Sequence, residues 1–219
     1  MKSDQEIQSA VSDELAWDCR VDQATVGVHV RSGIVTLSGT VDAWSKRVAA
    51  EEAAHRVSGV LDVANDIRVV VPAAGSRTDT QIAEAVRHAL EWNVLVPHQQ
   101  IRSTVSDGVV VLDGEVEYLT QRDDAEKAIR HLAGVRLISN RIAVKTQRSA
   151  RSADVRAAIH DALERRAARE FERIRVDAEG GVVTLTGSCR SWGDRKAVLG
   201  AARGTAGVHT VRDELRLEP

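Results

Sequence analysis

Gly33-Ile34-Val35-Thr36-Leu37-Ser38-Gly39 returns twice further along the chain, as Gly108-Val109-Val110-Val111-Leu112-Asp113-Gly114 and as Gly181-Val182-Val183-Thr184-Leu185-Thr186-Gly187. Each copy is followed, at one constant offset from its first glycine, by a Gly-Val pair: Gly59-Val60, Gly134-Val135 and Gly207-Val208. Three matches that each carry a second landmark at one offset are an internal repeat. The dipeptides Ser32-Gly33, Asp107-Gly108 and Gly180-Gly181 suit tight turns, because glycine takes positive φ without steric cost. Ahead of them run alternating residues: Val26, Val28, Val30; Ile101, Ser103, Val105; Ile174, Val176, Ala178. A β-branched run follows each turn, so each repeat is predicted to hold a β-hairpin. The closing glycines Gly39, Gly114 and Gly187 are read as the points where the chain leaves the sheet.

Upstream of each hairpin the apolar residues change to helical spacing. Ile7, Ala10, Val11 and Leu15 share one face, and Ser3 with Glu6 has the spacing of a capping box, which predicts a helix over about 4–17. The later repeats give Ile82, Ala85, Val86, Ala89, Leu90 and Val155, Ala158, Ile159, Ala162, Leu163. A second helix carries Ala50, Ala53, Ala54, Val57, then Ala125, Ala128, Ile129, Leu132, then Val198, Ala201, Ala202, Thr205. A last strand is expected over roughly 63–70, 137–144 and 210–217. The expected fold class is α/β in the α+β sandwich sense: three tandem α-β-β-α-β domains, each a mixed three-stranded sheet packed on two helices, with right-handed crossovers. Their expected bounds are 1–72, 77–146 and 151–219, joined by short linkers.

Composition agrees with packed domains. The chain has 219 residues, 43% hydrophobic and 28% charged, which is far from a disordered composition. Six aromatic residues leave Val, Leu, Ile and Ala to fill the cores. The formal net charge of -2 divides as -4 over residues 1–72, -1 over 73–147 and +3 over 148–219, which hints at an anionic partner for the last part. The start, Met1-Lys2-Ser3-Asp4-Gln5-Glu6, has no apolar core of signal-peptide length, and no run of 18 apolar residues exists. The expected location is cytoplasmic, with a peripheral place at a membrane allowed. Cys19 and Cys189 align with small apolar residues of the other repeats, and both are expected to be reduced filler.

No constellation carries obvious chemistry. The seven histidines occupy seven different repeat positions, and neither a His-Glu-x-x-His nor a Cys-x-x-Cys pattern occurs. Nucleophile elbows and phosphate-cradling loops are missing too. The expectation is a protein without catalytic residues, metal or cofactor. One group does return between the second strand and the second helix: Trp44, Lys46 and Arg47; Tyr118, Leu119 and Arg122; Trp192, Arg195 and Lys196. A ring beside a cation suits a lipid headgroup boundary. It equally suits a ring that covers the core's end while the arginine meets an acid such as Glu51 or Glu126. Arg165, Arg166, Arg169, Arg173 and Arg175 form a basic cluster, but Phe171 is its one stacking ring and no recognition motif accompanies it, which disfavours nucleic acid.

With the Gly-Val-Val-x-Leu-x-Gly hairpin, the later Gly-Val, the strand entered through Asn65, Asn140 or Asp213, and the helix ends Trp17-Asp18 and Trp92-Asn93, the chain resembles the BON domain family, bacterial domains named for an osmotic-stress protein and nodulation-associated proteins. The resemblance covers nearly the whole chain as three copies. The third departs, with Arg165 in place of the helix-end tryptophan. The resemblance implies a non-catalytic osmotic-stress binding protein that contacts anionic phospholipid or an envelope partner. The alternative is a cytoplasmic interaction scaffold or a small-ligand or ion sensor without membrane contact. Oligomeric state is not read from the sequence.

Overall fold

A computed structural model describes residues 2–72, 77–145, 152–164 and 174–218. The first repeat runs α1 (Asp4–Trp17), β1 (Val26–Arg31), β2 (Ile34–Val41), α2 (Trp44–Arg56) and β3 (Asp62–Val69). The second runs α3 (Asp79–Trp92), β4 (Ile101–Ser106), β5 (Val109–Val116), α4 (Leu119–Ile129), β6 (Leu137–Asn140) and β7 (Ala143–Val144). The third runs α5 (Ser152–Glu164), β8 (Ile174–Glu179), β9 (Val182–Cys189), α6 (Trp192–Arg203) and β10 (Thr210–Leu217). The predicted α-β-β-α-β order therefore holds in all three, with one variation: the third strand of the middle repeat is broken into β6 and β7, both paired with β5.

Each sheet is mixed. In the first, β2 lies between β1, antiparallel with Arg31 opposite Ile34, and β3, parallel with Ile34 opposite Asp62. The third repeats this, with Glu179 opposite Val182 and Thr210 opposite Val182 on the other side. Both residues of each two-residue hairpin turn have positive φ: 53° and 75° at Ser32-Gly33, 50° and 72° at Asp107-Gly108, 55° and 83° at Gly180-Gly181. This is the combination that matches the twist of paired strands. In the first two repeats the opening helix ties itself to the turn. The Asp4 carboxylate accepts the Ser32 and Gly33 amides at 2.7 and 2.9 Å, and Asp79 accepts those of Asp107 and Gly108 at 2.8 and 2.9 Å.

The helices begin and pack as their sequences dictate. Ser3 and Glu6 form the capping box at α1. Ile7, Val11 and Leu15 then meet Val26, Val30, Val35, Leu37, Val41, Ile67 and Val69 of the sheet, and the alanine stripe Ala49, Ala50, Ala53 and Ala54 of α2 completes that core. Alanine keeps the helix backbone close to the sheet, which suits a small domain with little volume to fill. The corresponding core of the third repeat is built on Val155, Ile159, Val176, Val183, Leu185, Val198, Ala202 and Leu215, and it also takes in Leu119. Ala158, expected on the buried face, is exposed. Ala162 and Leu163, expected on the same face, lie where no side chain is described. By backbone contacts the chain divides into two compact units, residues 1–92, 103–112 and 127–139 in one and 93–102, 113–126 and 140–219 in the other.

Two expectations are corrected. Gly39 and Gly114 do not end their strands, which run on to Val41 and Val116. They sit inside, at φ 122° and 146°, where the carbonyl oxygens of Thr25 and Gln100 occupy the space a Cβ would need. Gly187 has the same place within β9, at φ 124°. The glycine is there for close approach of another backbone. The cysteines also differ: Cys189 is buried, and burial pushes its thiol up to about 11, whereas Cys19 is exposed and fills no core. Its repeat equivalent, Val94, is exposed as well.

Candidate functional site

The ring-plus-cation corner lies at the first turn of α2, α4 and α6. In α2, Arg47 lies over the Trp44 ring, 5.0 Å from its centre, and donates from Nε to the Ile67 carbonyl at 3.0 Å and from Nη2 to the Asn65 carbonyl at 2.6 Å. Asn65 reciprocates: its Nδ2 donates to the Arg47 carbonyl and to Glu51, and its Oδ1 accepts the Ile67 amide. The middle repeat builds the same clasp. Arg122 donates to the Asn140 carbonyl, and Asn140 donates to the Arg122 carbonyl and Glu126 while accepting the Ile142 amide. In the third, Arg195 lies 4.6 Å over the Trp192 ring and its Nε donates to Asp213 at 2.8 Å, while Asp213 accepts the Leu215 amide. The sequence separation between arginine and partner is the same every time. The clasp fixes the crossover helix to the third strand.

The ring itself does not keep register. The offset that carries Gly33 to Gly108 aligns Trp44 with Leu119, not Tyr118, and the offset from Gly108 to Gly181 carries Leu119 to Trp192. Leu119 is buried, and Tyr118 stands one residue earlier, 39% exposed. The ring over the arginine is thus a property of the first and third repeats, and the clasp is common to all three. Of the remaining cations, Lys46 pairs with Asp42 at 2.8 Å and Lys196 is exposed.

A search of the sequence for rings beside cations misses the most exposed rings. Trp17 and Trp92, at equivalent ends of α1 and α3, are 86% and 84% exposed. Trp17 falls off the Ile7, Val11, Leu15 stripe, and its recurrence as Trp92 is the available signal. Val94 and Leu95, which follow Trp92, are 95% and 62% exposed. Beside Trp17 the surface is ionic. Asp18 accepts Nε and Nη2 of Arg20 at 2.9 and 2.8 Å and Nη2 of Arg56 at 2.8 Å, Arg56 also holds Glu14, and Arg20 reaches Glu52. Arg20, then Arg56 and the Arg20 amide, hold the Asp18 carboxyl well below the usual carboxylate range, against the opposing effect of its burial. In the second repeat Asn93 and Leu95 replace Asp18 and Arg20, so Leu95 brings no charge to that end. Among the described residues, no three His, Cys, Asp or Glu side chains gather as a metal would need, and no helix is long and apolar enough to cross a membrane.

The fold and these corners define a class of tandem small α+β domains whose outward features are helix ends. The BON domain matches residues 3–71, 78–146 and 151–219, and the chain belongs to the BON domain family. It is 27% identical over 146 residues to osmotically-inducible protein Y of Escherichia coli (strain K12), an alignment covering 65% of this chain and 73% of that protein. Among solved structures it is similar to CdsD, a structural protein of the type III secretion system of Chlamydia trachomatis, at 16% identity and a TM-score of 0.28, over 96% of this chain and 91% of that one. A structure of the C-terminal domain of CdsD gives 16% identity and a TM-score of 0.28 over 100% of each chain.

Proposed function

We propose that the protein is a non-catalytic osmotic-stress binding protein that meets an anionic phospholipid surface, or an envelope partner presenting one, through the ends of its first helices. The observation that carries this reading is the pair of exposed tryptophans, Trp17 and Trp92, at equivalent places in two repeats. A solvent-facing indole on a folded domain loses its apolar surface to no core, and indole is the ring most suited to a membrane–water boundary. One such contact is weak, on the order of 2 kcal/mol for the ring and about 1 kcal/mol for each nearby cation. Tethering two or more in one chain raises the apparent affinity without new chemistry. The corners, with Trp44, Lys46, Arg47, Tyr118, Leu119, Arg122, Trp192, Arg195 and Lys196, are the competing place of contact. The relative's osmotic induction supports the stress setting. With the chain in the cytoplasm, the contact is with the inner face of the membrane.

Co-sedimentation with phosphatidylglycerol and phosphatidylcholine vesicles at low and high salt tests the reading. The wild-type chain should pellet with the anionic vesicles and less so at high salt. Trp17→Ala with Trp92→Ala should lose most of that binding at an unchanged melting temperature. If the wild type never pellets, the soluble scaffold or sensor replaces this reading; if the tryptophan variant pellets as well as wild type, the corners take the contact.

A further inference from the structure

A depression of about 410 Å³ lies where the end of the first repeat meets the start of the second, lined by Val70, Val71, Arg77, Asp79, Ile82, Asp107, Gly108, Gly134 and Arg136. Two arginines share it. The stem of Arg136 crosses Gly108, where a Cβ would stand 3.0 Å from its Cγ and Cδ, and the Arg77 Cβ lies beside Gly134, at 3.3 Å from the same ideal position there. Neither guanidinium has an acid or hydrogen-bonding partner among the described residues. Other arginines, among them Arg20, Arg47, Arg56, Arg122, Arg130, Arg195 and Arg203, are engaged. Of the two acids in the lining, Asp79 has both oxygens occupied by the Asp107 and Gly108 amides. It keeps its charge there, and Asp107 is the second negative group in the lining, so the two acids offset the two arginines in formal charge. The first repeat has Lys2 and Leu61 at the positions of Arg77 and Arg136, so the arginine pair belongs to the middle repeat alone.

We propose that Arg77 and Arg136 form a binding site for a phosphate group, with the apolar lining of Val70, Val71 and Ile82 taking whatever the phosphate is attached to. Guanidinium is weakly hydrated and matches phosphate oxygens with paired donors, so two of them in one depression favour phosphate over a smaller, harder anion. The size is within the range of small-ligand clefts. The shared chemistry is the phosphate, carried either by a lipid headgroup or by a soluble phosphate ester. The site stands apart from the tryptophan contact, since none of its residues lies at a helix end that bears an exposed ring.

The test is an amide NMR titration of the full chain with inorganic phosphate at low salt. The amides of Gly108, Gly134 and Arg136 should shift in a saturable way. Arg77→Gln with Arg136→Gln should weaken the response about tenfold or more, since a charge-assisted hydrogen bond is worth at least the roughly 1.4 kcal/mol that tenfold represents. Asp107→Asn should strengthen it, which a merely structural role for Asp107 would not do. Amides distant from the pocket in the glutamine variant should be unmoved, showing that it folds. Absence of saturable shifts in the wild type, or unchanged shifts in the glutamine variant, overturns the site. Vesicles of phosphatidic acid and of phosphatidylcholine decide the source. Arginine-dependent binding to the former assigns a lipid headgroup; phosphate shifts without it assign a soluble ester. Trp17→Ala with Trp92→Ala should leave the phosphate shifts intact, so failure of the membrane reading and failure of this one give different results.

Discussion

Gly39 and Gly180 are both glycines with positive φ, yet the structure asks different things of them. At Gly39 the Thr25 carbonyl occupies the place of a side chain; at Gly180, φ 55°, nothing lies within 4 Å of an added Cβ. Gly39→Ala should therefore cost more than about 2 kcal/mol in urea unfolding, from backbone strain and collision together. Gly180→Asn should be neutral or stabilising by up to about 1 kcal/mol, because asparagine tolerates this conformation and restricts the unfolded chain. Equal losses at the two positions would refute the distinction. Ser32 and Asp107 already occupy the position of Gly180, at φ 53° and 50°. Asp18 gives a second residue-scale expectation. Its carboxyl is only 7% exposed and is held below its ordinary value of 3.8, mainly by Arg20. A depressed acid contributes stability that is complete above its unfolded value and lost as pH falls through the folded one. Asp18→Asn should lower stability at pH 7 and flatten its decline below about pH 4, followed by circular dichroism. A decline as steep as in the wild type would assign the acid transition to other carboxylates.

At the scale of the elements, the corner clasp changes what a charge reversal means. Arg47 and Arg195 are tied to the third strand through carbonyls and Asp213, with side chains partly covered. Arg47→Glu with Arg122→Glu and Arg195→Glu should lower the melting temperature, because carbonyl acceptors are left facing a carboxylate. Lost vesicle binding in that variant would then reflect damage to the fold. Asn65→Ala, which removes two donors and an acceptor at once, should cost on the order of 1–3 kcal/mol. Less than about 0.5 kcal/mol in chemical denaturation would show the clasp to be incidental. Much of this architecture is legible in the sequence. The turns, the buried helix faces and the strand order follow from glycine placement and from periods of 2 and 3.6. The clasp is legible only in part, as Asn65, Asn140 and Asp213 at the entry to the last strand, because its other half is an arginine on the preceding helix. Matching residues by type rather than offset pairs Trp44 with Tyr118 and hides the buried Leu119. Gly39 reads wrongly because the carbonyl it accommodates comes from another segment of chain. The exposure of Trp17 is legible from its place off the Ile7, Val11, Leu15 stripe, whereas that of Cys19 follows from where α1 stops relative to the sheet, which no local pattern encodes.

For the molecule as a whole, two kinds of link join successive repeats, and magnitudes separate them. Arg130 of the second repeat reaches Glu52 of the first at 3.6 Å, and the equivalent Arg203 of the third reaches Asp123 of the second at 3.2 Å. These are partly exposed pairs, with side chains 30% or more accessible, and each is worth at most about 1 kcal/mol. Leu119 is different. It opens α4 of the second repeat but is buried in the core of Val155, Ile159, Val183, Leu185 and Val198, and Val144 of the second repeat packs against that same core. A buried leucine cut to alanine costs about 2–5 kcal/mol. Leu119→Ala should therefore weaken the third repeat although the substitution lies outside it, while Arg203→Ala should change stability by less than about 1 kcal/mol. Native-state hydrogen exchange of the full chain reads this directly. In Leu119→Ala the amides of Val183, Leu185 and Val198 should exchange at least tenfold faster, the rate equivalent of about 1.4 kcal/mol, while those of Val35 and Leu37 in the first repeat keep their protection. If only middle-repeat amides respond, Leu119 serves its own repeat, and the third stands on its own core.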